Sequence, residues 1–293
     1  MDKKRSCAFT LVVQVFLCLV FYLALNLGNP FHTPTPPLDI YFLSVNGAYS
    51  YRPLHHQTHL LKQMEIVSRV YKVKFIINIS ELGEDDSLAL NASKVFSSMN
   101  VPWYTTAASK DQEGPCFLEQ IDINNREILT IIGVNTESLQ RSASGFGNNQ
   151  SNWLSKTLEA AVGNWLIVVG HHPVVVCEEN GEQIKSKHVY EQLHRIFVKY
   201  GVNAYLSGQG CSNISDANAL EDGVAYIGNG SPYPIKSEPY LASLSKRSAF
   251  QKKTDVGFLL HRVSSSEFTT YFMSLSGEVL DKIVIRAKGT EVM

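Results

Sequence analysis

The stretch WLIVVGHHP, residues 165–173, decides the prediction of the fold. Its apolar run WLIVV is bounded by Gly170 and Pro173, which is typical of a buried strand. Ligands of α/β proteins usually bind at the carboxyl ends of the strands, where His171 and His172 are expected to emerge. Imidazole serves as a metal ligand and as a general acid or base, so both histidines are candidates for chemistry. For two histidines alone, hydrogen bonding to the backbone at a strand end is the more frequent role.

The composition limits the class of protein. The chain has 293 residues, of which 44% are hydrophobic and 18% charged, and its formal net charge is −1. This length and composition indicate one large globular domain or two small ones. The balanced charge gives no sign of a polyanion-binding surface, so we expect no nucleic-acid partner.

The N-terminal region differs from the rest of the chain. Residues 1–6 include a short basic cluster, and residues 7–27 are apolar apart from Thr10, Gln14 and Asn26. A membrane-spanning helix needs roughly 20 apolar residues, which this stretch supplies. We predict an uncleaved transmembrane signal-anchor, with residues 1–6 as a cytosolic tail and the remainder lumenal or extracellular. A cleaved signal peptide, which would give a secreted protein, is the alternative.

A folded domain is predicted after this region. Residues 28–37 contain four prolines and are predicted to form an extended linker, so the domain is expected over 38–293. Helices are predicted at 55–71, 86–98, 151–162 and 186–200, and an exposed loop at 178–187. Strands are predicted at 39–45, 74–79, 102–106, 119–123, 128–134, 165–169, 203–207, 223–227, 256–263, 267–274 and 278–285. This order indicates a mixed sheet or sheet sandwich flanked by helices.

Cysteines and glycosylation sequons bear on the compartment. Cys116, Cys177 and Cys211 lie in the domain, so at most one internal disulfide can form among them, and their spacing does not suggest a zinc site. Four Asn-x-Ser sequons are present, and a lumenal domain could be glycosylated where they are exposed. Asn78 falls in a predicted buried strand and is discounted. The candidates for glycosylation are Asn91, Asn149 and Asn213.

Six short blocks in a fixed order resemble a known superfamily. They are FLSV at 42–45, VPWY at 101–104, VVGHH at 168–172, GVNAYLSG at 201–208, GNGS at 228–231 and GEVL at 277–280. Over about residues 39–285 the chain resembles the metallophosphoesterase (calcineurin-like) superfamily, most closely the small plant-type purple acid phosphatases. The resemblance implies an α/β fold, a four-layer αββα sandwich, preceded here by the predicted transmembrane segment. It also implies a two-metal phosphatase site at the strand ends.

The metal ligands of the family are Asp, Asn, His and Tyr side chains, and the resemblance indicates that most are replaced here. Gly47 stands at the first aspartate, although a shift of one residue would make Asn46 a weak oxygen donor. His171 survives as a ligand with His172 beside it, and Asp111 falls on the last residue of the third motif. Lys110 replaces the histidine that protonates the leaving group. The residues at the other ligand positions are Glu81, Glu84, Ser109, Gln209 and Cys211.

These replacements predict a pseudoenzyme. Two-metal hydrolysis needs several hard donors at one point, and even one lost outer partner of a ligand costs about 10–100-fold in affinity or activity. We therefore predict a membrane-tethered protein without a cofactor that binds an unknown protein or a phosphate-containing ligand. The alternative is an active phosphomonoester hydrolase with a remodelled site and a residual Zn, Fe or Mn ion. The remnant-site candidates are His171, His172 and Asp111, with His171 and Glu81 as vestigial metal ligands.

Overall fold

The computed structural model describes residues 14–17, 39–47, 54–96, 99–107, 117–124, 127–137, 139, 148–161, 163–180, 183–188, 191–208, 220–229 and 256–287. The chain divides into two compact units, Met1–Leu38 and Asp39–Met293. In the first unit, residues 14–17 are helical. No helix in the described part of the chain is long and apolar enough to cross a membrane, and most of the predicted anchor at 7–27 lies outside that part.

The second unit is built from alternating strands and helices, followed by strands alone. The helices are α1 (Leu54–Tyr71), α2 (Ser87–Val95), α3 (Asn148–Ala160) and α4 (Glu191–Tyr200), with a 3₁₀ turn at Gly83–Asp85. The strands are β1 (Ile40–Asn46), β2 (Ile76–Ile79), β3 (Trp103–Thr105), β4 (Phe117–Asn124), β5 (Glu127–Val134), β6 (Trp165–Gly170), β7 (Val175–Asn180), β8 (Gln183–His188), β9 (Ala204–Ser207), β10 (Leu220–Glu221), β11 (Val224–Gly228), β12 (Val256–Val263), β13 (Glu267–Ser274) and β14 (Val279–Arg286). This order confirms the predicted mixed α/β class.

The strands form two six-stranded sheets and a separate hairpin. The first sheet has the order β14-β13-β12-β1-β2-β3, and the second has the order β10-β11-β9-β6-β5-β4. Strands β1, β2 and β3 run parallel to one another, as do β5, β6, β9 and β11. The carboxyl ends of the parallel strands therefore lie together at one edge of each sheet, which is the favoured place for a ligand.

Three apolar clusters divide the unit into layers. Between the sheets, Phe42 and Ile77 of the first sheet pack in one cluster with Trp165 and Ile167 of the second. The outer face of the first sheet packs against α1 and α2, and the outer face of the second packs against α3 and α4. Because β1 and β6 are covered on both faces, they carry nearly continuous apolar sequences rather than alternating ones. The buried strand predicted from WLIVV is confirmed.

Two predictions for the segment after Pro173 are wrong. Residues 178–187, predicted as a loop, lie largely in the hairpin of β7 and β8, and the predicted helix 186–200 begins only at Glu191. In the hairpin Asn180 pairs with Gln183, so its connection has two residues. The sequence carries Gly181 at the first of these positions, which is typical of a tight hairpin turn. Helix α3 also begins at Asn148, three residues before the predicted start at residue 151.

Candidate functional site

The two sheets meet through side chains at the carboxyl ends of their parallel strands. Asn46 ends β1, and its Nδ2 donates to the carbonyl oxygen of Gly208, which follows β9, over 2.8 Å. We call the residues that end or directly follow these strands the strand-end edge. They are Asn46, Gly47, Ser80, Thr106, Asn135, Thr136, His171, His172, Gly208 and Asn229. Most of these polar side chains are buried.

Asn46 and His171 lie on either side of Gly208. A Cβ added to Gly208 would be 3.2 Å from Asn46 Oδ1 and 3.3 Å from His171 Nδ1, so only a glycine leaves these atoms undisturbed. The amide N–H of Gly208 donates to the carbonyl oxygen of His171 over 3.1 Å. Asn46 Oδ1 is buried and has no hydrogen-bond partner among the described residues. At the end of β1, Asn46 rather than position 47 therefore contributes the side chain that faces the second sheet.

His172 is held by two neighbouring strands. Its Nδ1 lies 2.7 Å from Thr136 Oγ1, and its backbone N–H donates to the same hydroxyl over 3.2 Å. The hydroxyl of Tyr205 donates to the carbonyl oxygen of His172 over 2.7 Å. Both backbone groups of His172 are therefore hydrogen-bonded, which agrees with the more frequent role of histidines at a strand end.

His171 is neutral at ordinary pH. Its side chain is 5% exposed, and burial lowers the pKa of His171 from 6.5 to about 3, with a further lowering from the neighbouring His172. Desolvation disfavours the charged imidazolium, which explains the direction of the shift. A neutral imidazole retains the lone pair that a metal or hydrogen-bond donor would use.

On the first sheet, the strand-end edge is closed by a helix cap. Asp86 is the N-cap of α2, and its Oδ1 accepts from the backbone N–H of Leu88 over 2.8 Å. Its Oδ2 accepts from Ser80 Oγ over 2.6 Å, and Ser80 Oγ accepts from the N–H of Leu82 over 3.0 Å. A Cβ on Gly47 would lie 2.5 Å from Asp86 Oδ2 and 2.7 Å from Ser80 Cβ. No side chain fits at Gly47 while this cap is in place.

Replacing the cap should destabilise the fold measurably. Asp86→Ala removes the acceptor of the first turn of α2, and loss of an N-cap costs about 1–2 kcal/mol. We expect a correspondingly lower unfolding midpoint in urea. Asp85→Ala, at the adjacent exposed position, is the matched control and should change the midpoint little. Equal effects of the two substitutions would contradict the assigned role of Asp86.

The structure separates the predicted site residues. His171 and His172 lie at the strand-end edge, whereas Glu81 and Glu84 are exposed and Ser80 takes the buried position beside them. Several residues singled out by the sequence lie outside the described residues: Ser109, Lys110, Asp111, Cys116, Gln209, Cys211 and Asn213. Sequence reasoning missed Ser80, Asp86, Asn135, Thr136 and Asn229. A polar residue directly after an apolar strand was the available signal for most of them.

The glycosylation sites stay predictions. Asn91 lies half-buried in α2, and its Nδ2 donates to Gln57 Oε1 over 3.0 Å, so a glycan on this nitrogen would break the bond between α2 and α1. Asn149 lies in the first turn of α3. Asn78, which the sequence discounted, is fully buried in β2.

The described donors do not fit a pair of metal ions. Two-metal sites need several carboxylates and imidazoles converging on two points. Among the described residues, no group of three or more His, Cys, Asp and Glu side chains could hold an ion. Across Gly208 from His171 lies the amide oxygen of Asn46. Both carboxylate oxygens of Asp86 already accept hydrogen bonds, Oδ2 from Ser80 Oγ and Oδ1 from the first turn of α2. We therefore derive no step through a metal pair.

The comparisons with known proteins agree with this architecture. No family model matches the chain. Tartrate-resistant acid phosphatase type 5 from Mus musculus is 22% identical over 302 residues, covering 85% of this chain and 90% of that protein. The Homo sapiens protein of the same name is 29% identical over 147 residues, covering 45% and 41%. Serine/threonine-protein phosphatase UIS2 from Plasmodium berghei (strain Anka) is 29% identical over 175 residues, 47% of this chain and 13% of its own length.

A solved structure adds the fold. GAP50, described as the anchor in the inner membrane complex of Plasmodium, superposes with a TM-score of 0.62 at 17% identity, covering 86% of this chain and 90% of its own. The fold of the chain is thus a metallophosphoesterase fold. Its sequence is similar to those of the tartrate-resistant acid phosphatases, which agrees with a purple acid phosphatase-like fold. The plant type expected from sequence stays a prediction.

Proposed function

We propose that this protein is a purple acid phosphatase-like scaffold that acts by binding, without hydrolysis, and is tethered to a membrane by its N-terminal segment. The ligand is an unidentified protein or a phosphate-containing molecule, and the fold presents the strand-end edge and its flanking loops to it. A fold similar to that of phosphatases does not imply their activity, so the function has to be argued from the site.

The observation that carries the proposal is the closure around Gly47. The resemblance assigns the first metal-binding aspartate to this position, yet Ser80 and Asp86 occupy the space that any side chain would need. Asp86 in turn is engaged by Ser80 and by the first turn of α2. At this end of the first sheet, the space for an aspartate at position 47 is filled, and the carboxylate of Asp86 is already hydrogen-bonded. Neither position is therefore free to bind an ion.

The second sheet supports the same proposal. His171 is buried, and the side chain nearest to it across Gly208 is the neutral Asn46 rather than a carboxylate. A single imidazole with neutral oxygen donors gives a weak site for a hard divalent ion. Such donors are well suited to hydrogen bonding with a ligand that does not react.

The alternative is an active phosphoesterase with a remodelled site. The phosphatase relatives favour it, and so does the buried Oδ1 of Asn46, an oxygen without a hydrogen-bond partner in the described structure that lies near His171. In this reading one residual Zn, Fe or Mn ion would use His171 and oxygen donors. The same measurement tests both functions.

Membrane tethering rests on composition. Residues 7–27 are almost continuously apolar after a basic cluster, and GAP50 is itself described as an anchor in a membrane complex. We propose a lumenal or extracellular orientation for the domain, with secretion after cleavage as the alternative.

Metal content and hydrolysis of an aryl phosphate test the proposed function directly. For protein purified without chelators from a secretory host, we expect no stoichiometric Zn, Fe or Mn by mass spectrometry and a hydrolysis rate equal to the buffer blank. His171→Ala should leave both readings unchanged. One or two ions per chain, with turnover abolished by His171→Ala, would establish the phosphoesterase instead.

A further inference from the structure

A buried hydrogen-bonded chain of four side chains crosses the apolar core between the sheets. Asn229 Nδ2 donates to Ser44 Oγ over 3.0 Å, and Ser44 Oγ lies 2.7 Å from His261 Nε2. His261 Nδ1 lies 2.8 Å from Thr270 Oγ1. We call Asn229, Ser44, His261 and Thr270 the inter-sheet relay. Asn229 follows β11 of the second sheet, whereas the other three lie on β1, β12 and β13 of the first.

The relay has one direction. An amide NH₂ can only donate, so Ser44 Oγ accepts from Asn229. Among the described residues, His261 Nε2 is the acceptor within reach of the Ser44 proton, so every member of the relay is satisfied when that proton points toward His261. His261 Nε2 is therefore the acceptor, and the proton of the neutral ring is on Nδ1, where it is donated to Thr270 Oγ1. A single donor–acceptor order thus defines the tautomer of a histidine that no solvent reaches.

The surroundings of His261 are apolar. Its ring packs against two phenyl rings, that of Phe42 at a centroid distance of 4.4 Å and that of Phe268 at 5.5 Å. Ser44, His261 and Thr270 are fully buried, and Asn229 is almost so. Desolvation lowers the pKa of His261, because burial disfavours the charged imidazolium. A buried polar network stabilises a fold only when every polar group in it has a hydrogen-bond partner, because an unpaired group loses its hydration without replacement.

The relay reaches the strand-end edge at two points. Ser44 precedes Asn46 by two residues on β1, and the backbone N–H of Asn229 donates to the carbonyl oxygen of Ser207 at the end of β9 over 2.7 Å. Asn229 also opens the stretch that follows β11. Sheet-on-sheet packing by apolar contact alone is not directional. Directional hydrogen bonds restrict how the two sheets can shift against each other.

We infer that the inter-sheet relay is a conformational lock, which holds the carboxyl end of β11 against β1 and so sets the spacing of the two sheets at the strand-end edge. The lock acts whatever the edge binds, so the inference does not depend on the proposed function. Removing a hydrogen-bonding group of the relay should leave the packing of the apolar clusters unchanged and make local opening at the end of β11 more frequent.

The first test measures the tautomer in the wild-type domain. Nitrogen-15 NMR of the histidine side chains should show His261 with Nδ1 protonated and Nε2 bare, and this pattern should persist from pH 8 to pH 5. A proton on Nε2, or a mixture of tautomers, would overturn the direction assigned to the relay. This test needs no variant.

The second test measures opening at the end of β11 by hydrogen exchange. Ser44→Ala and Thr270→Val remove hydroxyls of the relay with little change in volume. We expect Ser44→Ala to accelerate exchange of the Asn229 amide about tenfold, as local opening becomes easier, with Thr270→Val acting in the same direction. Ser264→Ala is the control, since Ser264 Oγ bonds locally to Glu267 and touches no relay member. Unchanged protection of Asn229 in Ser44→Ala would refute the lock.

Discussion

Lowering the pH from 7 to 5 should reduce the free energy of unfolding by about 2 kcal/mol through His261 alone. Burial lowers the pKa of His261 from 6.5 to about 3 in the folded protein. The unfolded chain therefore takes up a proton near pH 6.5, while the folded chain does so only near pH 3. The stabilisation is complete above pH 6.5 and is lost progressively as the pH falls from 6.5 toward 3.

Urea unfolding of wild type and of His261→Phe at several pH values isolates this contribution. The phenyl ring keeps the stacking on Phe42 and Phe268 but cannot titrate, and it leaves Ser44 and Thr270 with one partner fewer. The variant should thus be less stable at pH 7, and its deficit should shrink by about 2 kcal/mol at pH 5. His59→Gln, on the exposed face of α1, controls for the loss of a histidine as such. A deficit that stays constant with pH would show that His261 does not titrate between the two states.

Gly47→Asp should destabilise the domain by about 3 kcal/mol or more without restoring metal binding or hydrolysis. This substitution recreates the family's first aspartate at the position that the resemblance assigns to it. The new Cβ would meet Asp86 Oδ2 at 2.5 Å and Ser80 Cβ at 2.7 Å, and the new carboxylate would face the one on Asp86. Overpacking and like-charge repulsion therefore act together.

A glycine-to-aspartate substitution at an uncrowded position is the control. It separates overpacking and charge repulsion at position 47 from the effect of losing a glycine. Gly201 has a φ of +70°, and nothing lies within 4 Å of a Cβ added there. Gly201→Asp should cost only the roughly 1–2 kcal/mol of a left-handed residue. Gly47→Ala, which adds the Cβ without the charge, should fall between the two aspartate variants. If Gly47→Asp unfolds no more easily than Gly201→Asp, or gains stoichiometric metal, the closed edge that supports the binding function is wrong.

Several parts of the fold could be predicted because the physical signal is local. The runs at β1 and β6 contain too few polar residues for strands that face solvent, and the helical spacing of Leu60, Leu61 and Met64 marks the buried face of α1. The helix at 86–98 was predicted from its pattern, although Asp86 is its N-cap rather than its first residue. The hairpin of β7 and β8 was missed because its polar, charged strands lack apolar alternation, although the sequence has a turn glycine at Gly181.

The candidate site was predicted only in part. Strand position alone placed His171 and His172 at the strand-end edge, since both directly follow a buried parallel strand. Glu81 was predicted as a vestigial metal ligand because it carries a carboxylate. In the structure Glu81 is exposed, and its neighbour Ser80 is the buried residue. Which residue of a turn faces inward depends on the backbone path, and a shift of one position exchanges the two.

The sequence by itself determined the class of fold and the order of most strands and helices, because periodicity and residue type are properties of single segments. The replacement of metal ligands stays a prediction from the resemblance. Only the tertiary structure decided which side chains meet. It places Asn46 against Gly208 and packs Ser80 and Asp86 around Gly47. It also connects Ser44, His261 and Asn229 by hydrogen bonds. The partners in these contacts are separated by up to 217 positions, as in the pair of Ser44 and His261. Such pairs become neighbours only when the register of the strands and the packing of the two sheets bring them within hydrogen-bonding distance.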